Sequence, residues 1–366
     1  MKIAILGTRG IPNNYGGFEQ CAESLSTGLV KKGYDVTVYN PSFHPFKEES
    51  FKEVKIQKIY SPQEYLGNAA SNFVFDYLCL RHAVQSKFDI ILELGLITAA
   101  PSIILCGKGS SVIVTNLDGL EWKRAKWSPI VRFITKKLEK FGVRRSNYIV
   151  ADNIAIQKYV KTNYNKDSEF IAYGAEVVSS LKRSTIEQYL VVDGDYILTI
   201  ARLEPENNLE LMCDSYLSTN SNLPYYIIGN YNTKYGYFLK KKYEGTSIHF
   251  LGAIFNKVEL DTFRFFAKYY LHGHSVGGTN PALIEAMAAR AFVIIHDNPF
   301  NKSVVCNLNL SFANQSELSE ILLDKSFLSK REETIEENLK IINSNYRWDK
   351  IIDQYENYFL RILNKE

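Results

Sequence analysis

No two of the five cysteines, Cys21, Cys79, Cys106, Cys213 and Cys306, stand in a Cys-x-x-Cys spacing. Scattered and odd in number, they argue against a zinc site and a disulfide framework and favour a reducing cytoplasm. Charge of one sign is lacking too: 43 Lys and Arg face 40 Asp and Glu, a net +3, so there is no general case for nucleic acid. No apolar run is long enough to span a membrane, because Glu93 and Pro101 interrupt the longest, residues 90–106. The N-terminal Met-Lys-Ile-Ala-Ile-Leu-Gly is too short an apolar stretch for a signal peptide. A Gly-x-Gly-x-x-Gly fingerprint is missing, which disfavours a dinucleotide cofactor and an NAD oxidoreductase.

What remains is 366 residues, enough for about two domains at roughly 150 residues each. Aromatics are abundant, with 24 Tyr and 21 Phe, and core packing explains them as well as stacking surfaces do. Strand-like and helix-like patterns alternate, the sign of parallel α/β layers. In the first half, strands are predicted over 2–6, 35–39, 54–58, 89–92, 111–115, 148–151 and 170–172. Helices are predicted over 17–32, about 69–86, 129–145 and 154–162. A weakly patterned polar stretch, 174–194, reads as a linker. Alternation resumes with strands over 196–201, 225–228, 248–251, 269–271 and 292–295, and helices over 209–217, 234–243, 257–266 and 281–290. One amphipathic helix over 348–363 ends the pattern. This gives two Rossmann-like domains, 1–180 and 181–345, facing across a cleft. Ligands in such sheets bind beyond the carboxyl ends of the strands.

Loops at those ends carry the chemistry. The richest is Leu271-His-Gly-His-Ser-Val-Gly-Gly-Thr-Asn-Pro-Ala-Leu-Ile-Glu285, a strand end, a glycine turn and an abrupt helix start. Asn280 suits the N-cap and Pro281 the first helical position. The bare N–H groups there face Gly277, Gly278 and Thr279 and suit a phosphate. Glu285, one turn in, is placed for whatever the phosphate carries. Ala201-Arg-Leu-Glu-Pro-Glu-Asn-Asn208 puts Arg202 at a strand end, where a guanidinium matches a diphosphate in a bidentate way. A surface ion pair with Glu204 or Glu206 is the plainer alternative. His272 and His274 read as hydrogen-bonding histidines rather than a metal pair.

The first loop, Gly7-Thr-Arg-Gly-Ile-Pro-Asn-Asn-Tyr-Gly-Gly-Phe-Glu19, is either an ordinary strand–helix connection or a ligand loop. Arg9 and Glu19, beside Gly10, Gly16 and Gly17, tip it to the second. Asp118, just past a strand, is equally a turn residue or a cleft residue. From Trp122 to Arg145, nine basic residues face only Glu121 and Glu139. With Trp122 and Trp127 they suit an anionic membrane surface; a solvated helix face is the commoner explanation of such a run.

Together these runs resemble the retaining family 4 glycosyltransferases of GT-B fold, and within them the bacterial rhamnosyltransferase-like group. The signatures are the 7–19 loop, Asp-Gly-Leu-Glu-Trp-Lys-Arg at 118–124, the 201–208 run and His-Gly-His-Ser-Val-Gly-Gly-Thr-Asn-Pro at 272–281. The resemblance implies a nucleotide-diphosphate sugar held mainly by the C-terminal domain and an acceptor held by the N-terminal one, with 346–366 packing back on the first domain. It assigns catalysis to Asp118, Arg202 and His274. Donor binding falls to Gly16, Gly17, Arg202, Gly277, Gly278, Thr279, Asn280 and Glu285, the last on the ribose. The acceptor side falls to Arg9, Glu19 and Glu121. It implies neither metal nor cofactor, a rhamnose-type donor and a lipid-linked glycan acceptor. It also implies a cytoplasmic protein peripheral at the inner membrane face, serving a surface polysaccharide such as a capsule or O-antigen. Two departures stand out: Gly277 and Asn207 occupy positions where the wider family has a glutamate and a lysine. Both leave the leaving-group site less charged, with His272, His274 or Arg9 as expected compensation. A sugar-nucleotide epimerase and a non-catalytic sugar-nucleotide-binding protein are the alternatives.

Overall fold

A computed structural model describes all of the chain apart from residues 15, 108, 118, 125, 126, 190–194, 365 and 366; of the side chains of residues 68 and 69 nothing is said. It divides into two compact units. The first comprises Met1–Lys123, Trp127–Tyr173 and Trp348–Glu366; the second comprises Arg124–Lys126 and Gly174–Arg347.

In the first unit the strands are β1 (Lys2–Leu6), β2 (Asp35–Pro41), β3 (Ser50–Phe51), β4 (Val54–Ile59), β5 (Ile90–Glu93), β6 (Val112–Leu117), β7 (Tyr148–Ala151) and β8 (Glu169–Phe170). They form one sheet in the order β3-β4-β2-β1-β5-β6-β7-β8, parallel except for the β3–β4 edge hairpin. The central strands are almost continuously apolar and buried, as strands covered on both faces must be. The covering helices are α1 (Gly17–Lys31), α2 (Gln63–Gln85), α3 (Leu96–Cys106), α4 (Pro129–Arg145) and α5 (Ile154–Tyr164). A helix was expected from about 69; α2 begins earlier but breaks at Gly67 (φ +68), so its regular part starts close to that point.

The second unit repeats the plan. Its strands are β9 (Ile197–Ile200), β10 (Tyr225–Ile228), β11 (Ile248–Gly252), β12 (Tyr269–His272), β13 (Val293–His296) and β14 (Leu310–Phe312). They are all parallel, in the order β11-β10-β9-β12-β13-β14. Around them lie α6 (Leu209–Ser218), α7 (Lys234–Lys242), α8 (Lys257–Phe266), α9 (Pro281–Ala288), α10 (Pro299–Lys302), α11 (Gln315–Leu323) and α12 (Arg331–Ile341). One core of Met212, Tyr216, Tyr225, Ile227, Leu271 and Phe312 fills one face of this sheet.

The last helix, α13 (Trp348–Leu363), takes the chain back to the first unit. It lies so close to α1 that a Cβ on Gly28 would come within 2.2 Å of Ile352. Lys32 pairs with Asp353 and Glu356, each at 2.6 Å, and Tyr34 donates to Glu356 at 2.7 Å.

Candidate active site

In the second sheet the order reverses between β9 and β12, so the crevice between their carboxyl ends is the place where such a sheet receives a ligand. The loops that follow these two strands, 201–208 and 273–280, hold Arg202, Gly277, Gly278, Thr279 and Asn280 of the predicted donor residues. They are stitched together by backbone and side-chain bonds. Ser275 donates to the Glu206 carbonyl from both its N–H (3.0 Å) and its hydroxyl (2.8 Å). Asn208, in a left-handed conformation at φ +51, donates to the Gly273 carbonyl at 2.8 Å. Position 273 must be glycine for this approach, since a Cβ there would sit 2.2 Å from the Asn207 carbonyl oxygen.

Helix α9 starts as the sequence dictates. The Asn280 side chain accepts from the Ala282 N–H at 2.9 Å and Pro281 occupies the first turn. Thr279 is buried immediately before it. Helix starts of this kind, with N–H groups lacking an intrahelical partner, are suited to receiving an anion. Gly277 has φ +141, a backbone conformation that side chains disfavour. The absence of a glutamate there therefore has a backbone cause. One turn into α9, Glu285 is bound by Arg264 of α8, which also donates to Asp261 at 2.8 Å.

The charges differ from expectation. Burial holds His272 down to about 3, helped by His296. Burial holds His274 well below the usual range, with the nearby His272, Arg124 and Arg202 acting in the same direction. Neither histidine therefore supplies the positive charge expected of it at neutral pH. Asn207 explains the geometry of His274: its amide nitrogen donates to the Arg202 carbonyl at 2.7 Å, which turns its oxygen toward the His274 Nδ1 at 2.9 Å. On that network Nδ1 carries the proton. Positive charge comes instead from arginines. Arg202, 60% exposed, lies 3.8 Å from a Glu204 oxygen, and Arg124 lies 3.7 Å from the same oxygen and 3.4 Å from Glu206.

The first unit has its own reversal point between β1 and β5. The 7–19 loop leaves β1 there. Gly7 (φ +78) faces the Glu93 carboxylate so closely that a Cβ would lie 2.1 Å from its Oε1. Gly10 (φ +93) is pressed against Asn40, whose side chain accepts from the Ile11 N–H and donates to the Ile11 carbonyl. Gly16 and Gly17 open α1. Glu19 is buried and accepts from the Arg9 N–H at 2.7 Å; desolvation raises its pKa. It braces the loop from within. Glu121, in a 3₁₀ turn, accepts from the Trp127 indole N–H at 2.8 Å. Asp118 lies outside the described residues.

Arg202, His274, Gly277, Gly278, Thr279, Asn280 and Glu285 thus fall in the second unit, while Arg9, Gly16, Gly17, Glu19 and Glu121 fall in the first. Sequence reasoning missed the Asn207–His274 pair, Arg264 and Arg124. The 201–208 motif marked Asn207 as unusual; Arg264, inside an amphipathic helix, carries no such mark.

Residues 1–176 match a family described as a domain of unknown function (DUF1972), and residues 183–340 match the family described as glycosyl transferases group 1. No curated protein matches the chain in sequence. Among solved structures it is similar to a sucrose-phosphate synthase from Thermosynechococcus elongatus, at 14% identity and a TM-score of 0.79 over 100% of both chains. It is similar to a glycosyltransferase from Rickettsia africae at 12% identity and 0.73, covering 100% of this chain and 99% of the other. The same holds for Anabaena HepE in complex with UDP-glucose, at 14% and 0.72, again covering 100% and 99%. Sheet order, crevice and these likenesses converge: the chain has the GT-B fold, and its residues 183–340 match the glycosyl transferases group 1 family.

Proposed function

We propose that the protein transfers a sugar from a nucleoside-diphosphate sugar to a glycan hydroxyl with retained anomeric configuration. The observation that carries this reading is the start of α9 at the β9/β12 crevice, flanked by Arg202 and one turn ahead of Glu285. The open N–H groups and Arg202 hold the diphosphate, and Glu285 holds the ribose. As the sugar–phosphate bond breaks, the leaving diphosphate gains negative charge that these groups stabilise. The acceptor hydroxyl adds to the sugar on the face being vacated and its proton passes to the departing phosphate oxygen. Neutral His274, oriented by Asn207, contributes hydrogen bonding rather than charge. HepE is held with UDP-glucose, which supports a nucleotide-sugar donor here. A rhamnose-type deoxysugar donor and a place in surface polysaccharide assembly rest on the resemblance of the motifs.

The first unit binds the acceptor in this reading, and a lipid-linked acceptor fits the surface of α4. No helix among the described residues is long and apolar enough to cross a membrane. Helix α4 instead exposes Ile130 (73%), Phe133 (64%), Ile134 and Phe141 beside Lys137, Lys140, Arg144 and Arg145. Its one acid, Glu139, is buried and accepts from the hydroxyls of Tyr159 and Tyr164. Trp122 and Trp127 are half-buried, Trp122 with Lys136 4.2 Å above its ring, so the apolar contact with lipid falls to the α4 side chains.

A thermal-shift screen of nucleotide sugars tests the donor: a ligand at 100 times its Kd adds about 2.7 kcal/mol of stability. Stabilisation by at least one nucleotide sugar, followed by its consumption with a membrane extract, is the expected result. No shift with any member of a full panel would overturn the reading.

A further inference from the structure

We infer that Arg264 is a positioning residue for donor recognition: it fixes the Glu285 carboxylate so that it reads a ribose hydroxyl. The inference rests on the donor site proposed above. Arg264 lies on α8 with 2% of its side chain exposed. Its guanidinium spans two helices. One end donates to Asp261 on its own helix at 2.8 Å, and the other to Glu285 Oε2 on α9. Asp261 is itself paired with Lys257 at 2.5 Å. Tyr270, buried at 0% exposure in β12, lies within charge reach of both Arg264 and Glu285.

A purely structural explanation is a core ion pair joining α8 to α9. Two features favour more. Burying a charged guanidinium carries a desolvation penalty that an apolar pair of the same volume would avoid. The Arg264 Nε–H is moreover buried with no acceptor, so packing the helices together does not satisfy the group fully. What the arrangement does achieve is directional. A planar fork anchored at one side by Asp261 holds one Glu285 oxygen in a fixed place. Glu285 keeps 15% of its side chain exposed, whereas Arg264 and the Asp261 that anchors it are almost sealed. A carboxylate already held in place by this fork, with part of its surface exposed, accepts from a hydroxyl without first losing side-chain freedom.

The test is calorimetric. UDP, GDP, ADP and dTDP are titrated into the full-length protein, and the tightest is compared with its 3′-deoxy counterpart. In the wild type the missing hydroxyl weakens binding about tenfold or more, the size of one hydrogen bond to a charged group. Arg264→Lys keeps the charge but not the fork, and the ratio between the two ligands falls toward one. A merely structural role would weaken both ligands equally and leave the ratio intact, which would overturn the inference. Glu285→Gln separates the two levels. If it keeps the wild-type ratio, the assignment of Glu285 to the ribose fails. If it abolishes the ratio while Arg264→Lys preserves it, the Arg264 inference alone fails. Should Arg264→Lys not fold, Asp261→Asn loosens the other anchor of the guanidinium and is read by the same ratio. A loss of about threefold supports the inference and an unchanged ratio overturns it.

Discussion

Beneath the first loop lie two carboxyl groups that the fold keeps from water. Asp76 of α2 and Glu93 at the end of β5 are 4% and 0% exposed. Each has one oxygen buried without a partner, Asp76 Oδ2 and Glu93 Oε2. Burial pushes Asp76 up to about 7, against a pull down from the Thr98 hydroxyl. Burial also raises Glu93 well above the carboxylate range; the charge of Asp76 adds to this, while the Gly95 N–H opposes it. The unfolded chain releases the Asp76 proton near 3.8 and the folded chain holds it to about 7. The associated stability is fully present below the lower value and disappears as pH rises through the upper one. Converted at about 1.4 kcal/mol per pH unit, the difference has an upper bound of roughly 4–5 kcal/mol, and about half of that is expected because Glu93 titrates with it. Asp76→Asn removes the effect while keeping size and hydrogen bonding. In calorimetric scans the variant should differ little from the wild type near pH 3.5 and exceed it by about 2 kcal/mol near pH 8.5. A difference between variant and wild type that is the same at both pH values, or larger at the acid end, would refute the reasoning.

Three further outcomes are expected. Gly273→Ala places a methyl 2.2 Å from the Asn207 carbonyl oxygen and should cost about 1–3 kcal/mol in thermal stability while weakening nucleotide binding; unchanged affinity and melting temperature would contradict the close packing of the two loops. Gly277→Glu, which restores the glutamate of the wider family, should lower stability by about 1–3 kcal/mol because of φ +141, without tightening donor binding. Tighter binding at an unchanged melting temperature would count against that explanation. Exchanging Lys136, Lys137 and Lys140 for glutamate should weaken sedimentation with anionic liposomes and leave nucleotide binding intact, each basic residue being worth about 1 kcal/mol at such a surface. Equal sedimentation would remove the membrane role of α4.

Much of this was legible in the chain. Apolar runs such as 2–6 and 90–93 announced buried parallel strands, and the strong amphipathic pattern of 348–363 gave α13 with both its ends. Elements whose burial comes from few residues escaped notice. β3 has two residues, β14 has three, and α11 and α12 bring only a few apolar side chains each to the core. The phosphate-type loop was readable because Asn280 and Pro281 act locally, through the backbone beside them. Residues acting over long sequence distances were not. The burial of Glu19 and its bond from the Arg9 N–H could not be read from the chain. The histidines looked chargeable until their burial was known. Arg264 has the spacing of a surface charge on α8, and its meaning depends on a carboxylate 21 residues away.

The central claim is that the β9/β12 crevice binds a nucleoside diphosphate through Arg202 and the start of α9. The most direct measurement is a calorimetric titration of the best-stabilising nucleoside diphosphate into the wild type and into Arg202→Ala. Loss of one charge-assisted contact should raise Kd about 10- to 100-fold with the folded state intact. An unchanged Kd in a folded variant would contradict the account.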